Sequence, residues 1–312
     1  MKRKLHVRLA SPRGFCAGVE RAIRAVEDAL AAHGAPVYVR HEIVHNAHVV
    51  KRLRAMGAVF VETVDEAPPD RPIILSAHGA PVSAYDDVAA RSMIMIDATC
   101  PLVKKVHSQA RRLAARGRHI LLIGHRGHPE VQGTMGQVFP GAVSLIETVE
   151  EARAFEPPAE PLAYVTQTTL SVDDTAEIIA VLEERFPGIE GPPSSDICYA
   201  TSNRQAAAKE IARRSQIVIV IGSPTSSNSC RLVEVARAAG CPRALLIDDP
   251  ATFDLSILEG AETIGITAGA SAPETLVESL LGRLAAGFAL TIETVETAKE
   301  DVTFKSPMAL AS

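Results

Sequence analysis

The sequence predicts an α/β protein of three similar small units, with parallel sheets and a pseudo-threefold arrangement about a shared centre. Short apolar runs alternate with helical patterns along the chain, which is typical of right-handed βαβ units. Cys16, Cys100 and Cys198 each open a predicted helix, and each begins a block of similar length. The predicted units are residues 1–97, 98–194 and 195–290, followed by a closing strand and tail at 291–312.

Each element is predicted from the spacing of apolar residues. A strand is predicted where apolar residues run together and a loop rich in glycine, serine or histidine follows. The predicted strands are residues 5–10, 37–39, 73–75, 93–96, 120–123, 162–165, 217–221 and 263–266. A helix is predicted where apolar residues then recur at helical spacing. The predicted helices are residues 19–32, 102–115, 171–185 with Ser171 as the cap, 231–239, and a helix that begins at Pro273.

Composition and charge argue against several classes of protein. The chain has 312 residues, of which 47% are hydrophobic and 22% charged, as in ordinary globular proteins. No apolar run approaches the roughly 18 residues that span a bilayer, so no membrane-embedded part is expected. The net charge of −5 and the absence of tryptophan argue against a nucleic-acid partner. His6 and Arg8 interrupt the first apolar run, so we expect a cytoplasmic protein without a signal peptide.

Three of the five cysteines are candidate metal ligands. No Cys-x-x-Cys occurs, which excludes zinc ribbons, thioredoxin-type redox pairs and closely spaced cluster motifs. Cys16, Cys100 and Cys198 follow short flexible stretches at predicted strand ends. Cys230 and Cys241 are expected to be ordinary buried residues. Three thiolates from three units could hold an iron–sulfur cluster and leave one iron open, as catalytic metal sites do.

Histidines and hydroxyl groups follow other predicted strands and indicate a site for an anion. His45, His78 and His128 lie in loops after strands, where ligands gather in parallel sheets. The segments Ser226–Ser229 and Gly269–Ser271 each precede a predicted helix, whose amino-terminal N–H groups favour phosphate. A pocket of histidines and hydroxyls without lysine or arginine fits a diphosphate.

Glu130 and Thr168 are the candidates for moving a proton. Glu130 follows His128 and a proline in a glycine-rich loop. An anionic ligand beside it would raise its pKa, so that it could donate a proton. Thr168 precedes a capped helix and could relay or orient that proton. The same loop permits a different site, because His125, His128 and Glu130 are also spaced as ligands for one metal ion.

Ten segments together resemble one known family. They are Pro12-Arg-Gly-Phe-Cys-Ala-Gly-Val19, Tyr38-Val-Arg-His-Glu-Ile-Val-His-Asn46, Ser76-Ala-His-Gly79, Asp97-Ala-Thr-Cys-Pro-Leu-Val103, Gly127-His-Pro-Glu-Val131, Gly133-Thr-Met-Gly136, Thr166-Gln-Thr-Thr-Leu-Ser-Val-Asp-Asp174, Asp196-Ile-Cys-Tyr-Ala-Thr201, Ser226-Ser-Asn-Ser229 and Thr267-Ala-Gly-Ala-Ser-Ala-Pro273. In this order, over residues 5 to 285, they resemble the 4-hydroxy-3-methylbut-2-enyl diphosphate reductases, the IspH or LytB family.

The resemblance implies a fold, a cofactor and a reaction. It implies three α/β units around a central [4Fe–4S] cluster with Cys16, Cys100 and Cys198 as ligands, and an open fourth iron that binds the substrate hydroxyl. The implied reaction removes that allylic hydroxyl with two electrons and protons, giving isopentenyl and dimethylallyl diphosphates at the end of the non-mevalonate pathway. The implied electron donor is a reduced ferredoxin or flavodoxin, in keeping with the absence of a Gly-x-Gly-x-x-Gly motif.

The resemblance also implies a role for each candidate residue. The implied catalytic residues are Glu130 as proton source, Thr168 as the group that positions the hydroxyl, and His128. The implied diphosphate ligands are His45, His78, His128, Ser226, Ser227, Asn228 and Ser271. Cys230 departs from the family pattern, which has a polar residue there, and we interpret it as a neutral substitution. The tail carries no motif, and no role is assigned to it.

Two other functions remain open on the sequence. The first is a metal-dependent phosphatase or hydrolase that uses His125, His128 and Glu130. The second is a non-enzymatic iron–sulfur redox sensor, which would leave the Ser226–Ser229 loop without a purpose.

Overall fold

The computed structural model describes residues 2–159, 161–307 and 309–310. Backbone contacts divide the chain into two compact units. The first unit comprises Met1–Cys16, His45–Val49 and Tyr199–Thr303. The second comprises Ala17–Val44, Val50–Cys198 and Phe304–Ser312. In the part of the chain that the structure describes, no helix is both long and apolar enough to cross a membrane.

Strands and helices alternate along most of the chain. The strands are β1 (Arg3–Ser11), β2 (Val37–Arg40), β3 (Ala58–Val61), β4 (Ile73–Leu75), β5 (Met95–Asp97), β6 (His119–Ile123), β7 (Val143–Ile146), β8 (Leu162–Thr166), β9 (Ile217–Ile221), β10 (Ala244–Ile247), β11 (Thr263–Ala268), β12 (Phe288–Glu296) and β13 (Ala309–Leu310). The α-helices are α1 (Ala17–His33), α2 (Ala47–Ala55), α3 (Val82–Ala90), α4 (Pro101–Ala115), α5 (Pro129–Met135), α6 (Val149–Ala154), α7 (Val172–Arg185), α8 (Tyr199–Ala212), α9 (Ser227–Ala238) and α10 (Glu274–Gly287).

The first unit contains a five-stranded parallel sheet in the order β10-β9-β11-β1-β12. The inner strand β9 is a continuous apolar run, because helices cover this part of the sheet on both faces. All five residues of β9 are buried. One hydrophobic cluster joins β1 and β11 to α10, and a second joins β9 to α8 and α9. The inner strands of this unit are therefore packed against helices on both faces.

The second unit contains two sheets. One is ordered β13-β5-β4-β2-β3, and all its pairs are parallel except that of β13 with β5. The other is a parallel sheet ordered β7-β6-β8. Among the described residues of this unit, hydrophobic clusters form around β6 and β8 and around β4. Proline at the first position of α4 and α5 suits a helix start, where no N–H donor is needed.

The α/β class and the three sheets confirm the predicted fold class. All eight predicted strands are present, with ends shifted by two residues or fewer. The predicted helices are present as well, although α9 begins four residues earlier than expected, at Ser227. The strands β3, β7 and β10 were not predicted; each is a short edge strand with partly exposed residues.

Sheet membership does not follow chain order. β1 pairs with β11 and β12, both of which lie more than 250 residues later in sequence. β12, which covers the start of the predicted closing strand, lies at the edge of that sheet. The unit boundaries at 97/98, 194/195 and 290/291 stay a prediction.

Candidate active site

Nearly every predicted site residue lies between the end of a strand and the first turn of the next helix. Cys16 lies between β1 and α1, His78 follows β4, Cys100 follows β5, and Thr168 follows β8. These are the loops at the carboxyl ends of parallel strands, where backbone groups are left for a ligand. Cys198 is the exception.

The expectation that Cys198 follows a strand is wrong. It lies directly before α8, after a loop whose only ladder contact is an isolated bridge between Glu190 and Ala163. The preceding stretch includes Pro192 and Pro193, which have no backbone N–H to donate to a sheet. The backbone N–H of Cys198 instead donates to the carbonyl oxygen of Thr168 at 3.0 Å.

In the first unit, Cys16 is tied to the loop that carries Ser271. The N–H of Cys16 donates to the carbonyl of Ala270 at 3.3 Å, and the N–H of Gly14 donates to that of Ala268 at 3.0 Å. Gly14 has a φ of +66°, and a Cβ there would lie 3.1 Å from the carbonyl oxygen of Ala272. Glycine is therefore required for this close approach.

Hydroxyl and amide groups of the first unit form one hydrogen-bonded set. Ser226 caps α9, because its Oγ accepts from the N–H of Ser229 at 3.3 Å. The Ser229 hydroxyl donates to the same oxygen at 3.0 Å, and the Ser271 hydroxyl lies 3.4 Å from it. Asn228 accepts from the N–H of Ala270 at 2.8 Å. Three predicted diphosphate ligands are thus brought together at one helix start, beside Ser227, the first residue of α9.

His45 joins this set through its backbone. The Ser271 hydroxyl donates to the carbonyl oxygen of His45 at 3.0 Å. The next residue, Asn46, is fully buried, and its Oδ1 accepts from the N–H of Val49 in the first turn of α2. The cap on α2 therefore positions His45 against the loop of Ser271.

In the second unit, Cys100 is tied to the loop that carries His78. The N–H of Cys100 donates to the carbonyl of Ala77 at 3.0 Å. His78 Nδ1 lies 3.4 Å from the Ser76 hydroxyl. Gly79 follows with a φ of +83°, and a Cβ there would lie 2.5 Å from Cε1 of His107. The buried His107 ring thus packs directly beneath the turn that presents His78.

His78 and His128 are in contact. Their rings are perpendicular, with centroids 5.7 Å apart. His128 Nδ1 accepts from the backbone N–H of Glu130 at 3.1 Å, so it caps α5. A neutral His128 ring that accepts at Nδ1 carries its proton on Nε2, which makes Nε2 a donor suited to an anion.

Glu130, Thr168 and Cys198 are connected by hydrogen bonds. The N–H of Thr168 donates to Oε1 of Glu130 at 2.7 Å, and the Thr168 hydroxyl lies 3.0 Å from Oε2. The Thr168 carbonyl accepts from the N–H of Cys198, as described above. Thr168 therefore links a buried carboxyl group to a cysteine backbone.

Burial raises the pKa of Glu130 to about 7, because the ionised carboxylate is separated from water. The two hydrogen bonds from Thr168 act in the opposite direction, and the charge of Asp196 raises the pKa further. Asp196 is itself buried with a raised pKa, and it accepts from the N–H of Thr166 at 3.2 Å. A carboxyl group with a pKa near neutrality can both hold and release a proton at physiological pH.

The residues 7–285 match the family model described as LytB protein. The chain belongs to the LytB family. A relative from Phenylobacterium zucineum named 4-hydroxy-3-methylbut-2-enyl diphosphate reductase is 62% identical over 309 residues, which cover 98% of each chain. A relative of the same name from Hyphomonas neptunium is 59% identical over 99% of each chain.

Two solved structures share the fold of this LytB protein. The E-1-hydroxy-2-methyl-but-2-enyl-4-diphosphate reductase from Plasmodium falciparum matches with a TM-score of 0.94 and 39% identity, over 98% of this chain and 96% of that one. A second structure, of (E)-4-hydroxy-3-methyl-but-2-enyl diphosphate reductase, matches with a TM-score of 0.65 and 29% identity, over 90% of this chain and 99% of that one.

The cofactor of a LytB protein is a [4Fe–4S] cluster, and this chain's cysteines fit it. None of the five cysteines forms a disulfide. Cys241 is buried in the core of the first unit, and the Cys230 thiol donates to the Pro224 carbonyl at 3.3 Å. Cys16, Cys100 and Cys198 remain, each partly exposed and each held through its own N–H. Thiolates are the ligands that such clusters take.

The single-metal alternative has no support in the LytB structure. Within the described residues, no group of three or more His, Cys, Asp or Glu side chains could hold a metal ion. The Glu130 carboxyl group faces Thr168, and His128 Nδ1 is engaged by a backbone N–H. This finding does not bear on a [4Fe–4S] cluster, because each cysteine there binds a different iron atom.

Three supporting residues were missed by the sequence analysis. Ser229 fills the space beside Gly222 and Gly269, Gln167 accepts from the N–H of His125 at 3.0 Å, and His107 packs against Gly79. Ser229 and Gln167 lie within the motifs that carry the resemblance, so their neighbours could have pointed to them. His107 lies on α4 at a spacing that resembles any core residue.

Proposed function

We propose that this chain reduces (E)-4-hydroxy-3-methylbut-2-enyl diphosphate to isopentenyl and dimethylallyl diphosphates. Two electrons and two protons enter, the allylic C–O bond breaks, and the oxygen leaves as water. One proton ends on carbon and the other on the departing oxygen. The relatives in Phenylobacterium zucineum and Hyphomonas neptunium carry the name of this reductase over nearly their full lengths.

The hydrogen-bonded series of Glu130, Thr168 and Cys198 carries this proposal. Glu130 is a buried acid with a pKa of about 7, which is suited to protonating a leaving hydroxyl. Thr168 contacts that acid through its hydroxyl and a cysteine through its carbonyl. When bound, the [4Fe–4S] cluster supplies the electrons and a Lewis acid. A carboxyl group, a hydroxyl and a cluster ligand in one connected series suit a reaction that moves protons and electrons together.

The diphosphate is the proposed ligand of two groups of side chains. In the first unit, Ser226, Ser227, Asn228 and Ser271 surround the start of the 12-residue helix α9, with His45 beside them. The positive end of the helix dipole stabilises negative charge there. In the second unit, His78 and His128 are in contact and offer ring N–H donors. Hydrogen bonds to a charged phosphate contribute about 1.5–3 kcal/mol each.

The proposed electron donor is a reduced ferredoxin or flavodoxin, since no dinucleotide-binding motif occurs in the sequence. The proposed location is the cytoplasm. Five cysteines without a disulfide are typical of a reducing compartment.

The test is turnover by anaerobically reconstituted protein. We expect about four irons and four sulfides per chain. With a strong one-electron reductant, we expect the hydroxylated diphosphate to be converted to the two dehydroxylated diphosphates. Cys100→Ser protein should be inactive. A colourless protein that releases inorganic phosphate in air would instead favour the hydrolase. A cluster without any turnover would favour the redox sensor.

A further inference from the structure

Arg21 holds the backbone that leads into Cys100. Its guanidinium group is buried, and its Nη1 donates to the carbonyls of Ala98 and Thr99, both at 3.1 Å. Its Nη2 lies 3.4 Å from the carbonyl of Asp97. Three consecutive carbonyl oxygens directly before the cysteine therefore point toward one cation.

Arg204 does the same for Cys16. It is one of the largest fully buried side chains among the described residues, with an exposed fraction of 1%. Its Nε donates to the carbonyl of Gly14 at 2.9 Å, and its Nη2 donates to that of Phe15 at 3.1 Å. The two carbonyl oxygens directly before this cysteine again face one guanidinium group.

Lys105 holds the backbone before Cys198. Its ammonium group lies 3.4 Å from the carbonyl of Ser194, 3.2 Å from that of Ser195, and 3.5 Å from Oδ1 of Asp196. The contact is less close than the other two, because it reaches residues further from the cysteine and the lysine side chain is 38% exposed.

These three cations occupy similar sequence positions. Arg21 and Lys105 each lie five residues after a cysteine, Cys16 and Cys100 respectively, and Arg204 lies six residues after Cys198. Each cation therefore stands on the helix opened by one cysteine and holds the segment before another. The order is cyclic: the helix after Cys16 serves Cys100, the helix after Cys100 serves Cys198, and the helix after Cys198 serves Cys16.

The two arginines fix the orientation of the peptide group of the cysteine that they serve. The carbonyl of Thr99 accepts from Arg21, while the other end of that peptide, the Cys100 N–H, donates to Ala77. The carbonyl of Phe15 accepts from Arg204, while the Cys16 N–H donates to Ala270. With both ends of the peptide bonded, the Cα–Cβ vector of the cysteine has little freedom to rotate.

We infer that Arg21, Lys105 and Arg204 are positioning residues, which orient the three cluster-binding cysteines in a closed cycle. This inference rests on the proposed assignment of Cys16, Cys100 and Cys198 as cluster ligands. Mutation of groups that orient metal ligands typically lowers metal affinity by about 10–100-fold.

Arg21 also places positive charge near the Cys100 thiolate. Burial lowers the pKa of Arg21, whereas the charges of Asp97 and Cys100 act in the opposite direction, so the guanidinium group lies within electrostatic range of that cysteine. Arginine keeps its charge at any physiological pH. A cluster with three thiolate ligands gains a further negative charge on reduction, so removal of a nearby cation should lower its reduction potential.

The carboxy-terminal segment, to which the sequence assigned no role, completes two of these contacts. Glu300 accepts from Arg204 at 2.9 and 3.2 Å, and Asn203 donates to the same carboxylate at 3.0 Å. The carbonyl of Lys305 accepts from Nε of Arg21 at 2.8 Å. The segment thus satisfies guanidinium groups that would otherwise be buried with unpaired donors.

The test separates geometry from charge by comparing Arg21→Lys with Arg21→Met. The lysine keeps the charge but cannot contact three carbonyls, so iron should be released to a chelator about 10–100-fold faster than from wild type, with an unchanged midpoint potential. The methionine should release iron as fast and also shift the potential to more negative values. Arg204→Lys should behave as Arg21→Lys does.

Lys105 gives the third comparison and a rescue. Lys105→Met should accelerate iron release less than the arginine variants, because its contacts are further from the cysteine, and Lys105→Arg should restore the wild-type rate. Arg24→Met on α1 and Arg112→Met on α4 remove exposed arginines from the same helices and should match wild type in rate and potential. If Arg204→Lys does not fold, the Arg21 and Lys105 series decide the question.

The inference would be overturned if Arg21→Lys and Lys105→Met released iron no faster than the controls Arg24→Met and Arg112→Met. An unchanged midpoint potential in Arg21→Met would overturn the electrostatic effect inferred for Arg21. Wild-type protein is the reference for the proposed function itself. If wild type takes up no cluster, the assignment of the cysteines as cluster ligands fails. If the wild-type cluster is stable and the variants release iron at the wild-type rate, that assignment stands and only the positioning role of the three cations is excluded.

Discussion

Thr168 donates its backbone N–H to Oε1 of Glu130 at 2.7 Å, and its hydroxyl lies 3.0 Å from Oε2. Both oxygens of a fully buried carboxyl group are therefore engaged by one residue. The arrangement fixes the carboxyl plane, so that the acid can act in only one orientation. Since the Thr168 carbonyl also accepts from the N–H of Cys198, the acid is oriented relative to a proposed cluster ligand of the same unit.

Glu130→Gln should lower kcat and leave KM near the wild-type value. Glutamine has nearly the same shape but cannot donate the proton that the leaving hydroxyl needs, and positioned general acids contribute about 100–10,000-fold. Steady-state kinetics with a chemical reductant measure this. Glu150→Gln, at an exposed carboxylate on α6, is the control. A Glu130→Gln protein with normal kcat would remove Glu130 from the proton path.

The pH profile of kcat should follow the carboxyl group of Glu130. Its raised pKa of about 7 means that the proton-donating form predominates below that pH, so kcat should fall as the pH rises further. The residual activity of Glu130→Gln should not show this fall at high pH. Turnover rates of both proteins between pH 6 and 9 at saturating substrate test this prediction. The same fall of kcat with pH in the variant would mean that a group other than Glu130 titrates.

The free energy of unfolding should also depend on the ionisation of Glu130. A carboxyl group whose folded-state pKa is raised from 4.5 to about 7 opposes folding once it ionises, so the free energy of unfolding falls as pH rises through that window. The loss is of the order of 3 kcal/mol above pH 7. Urea unfolding of cluster-free protein at pH 5 and pH 8 measures it. Between these two pH values, the free energy of unfolding of Glu130→Gln should decrease by correspondingly less than that of wild type. Equal decreases in the two proteins would contradict the complete burial of Glu130.

Ser271→Ala should weaken binding of inorganic diphosphate by about 10–150-fold, the effect of one hydrogen bond to a charged group. Its hydroxyl contacts Ser226 and the carbonyl of His45, so its loss also loosens the proposed anion site. Calorimetric titration gives the affinity. Ser256→Ala removes an exposed hydroxyl that contacts only Asp254 and should bind as wild type does. Equal affinities for the two variants would exclude Ser271 from the site.

Gly79→Ala should destabilise the protein more than Gly117→Ala. Both glycines have a positive φ, +83° and +72°, so both substitutions carry backbone strain of about 1–3 kcal/mol. Only at Gly79 would the new methyl group also meet a side chain, 2.5 Å from His107. The unfolding free energy of Gly117→Ala measures backbone strain alone, and that of Gly79→Ala measures backbone strain plus the clash with His107. Similar losses would mean that His107 moves aside and does not support the turn at His78.

Much of this molecule follows from local sequence patterns. Buried strands such as β4 and β9 are continuous apolar runs, and their extents were predicted without error because no exposed face interrupts the pattern. The helix cap at Ser171 was predicted for a similar reason, since it depends on residues three positions apart. Edge strands such as β7 were missed because their mixed burial leaves no such run.

Other features depend on residues that are far apart in sequence. Arg204 contacts Gly14 across 190 positions, and Glu130 contacts Thr168 across 38, and neither pairing leaves a signal in local spacing. The raised pKa of Glu130 likewise follows from burial, which sequence cannot measure.

The residue types and their order thus determined the fold class, the loops that carry chemistry and the family resemblance, because these depend on periodicity and on motifs a few residues long. The tertiary structure alone decided that β1 joins strands from the far end of the chain, that Thr168 orients Glu130, and that three cations hold the cysteine segments. Those pairings depend on which loops the packed sheets and helices bring within hydrogen-bonding distance.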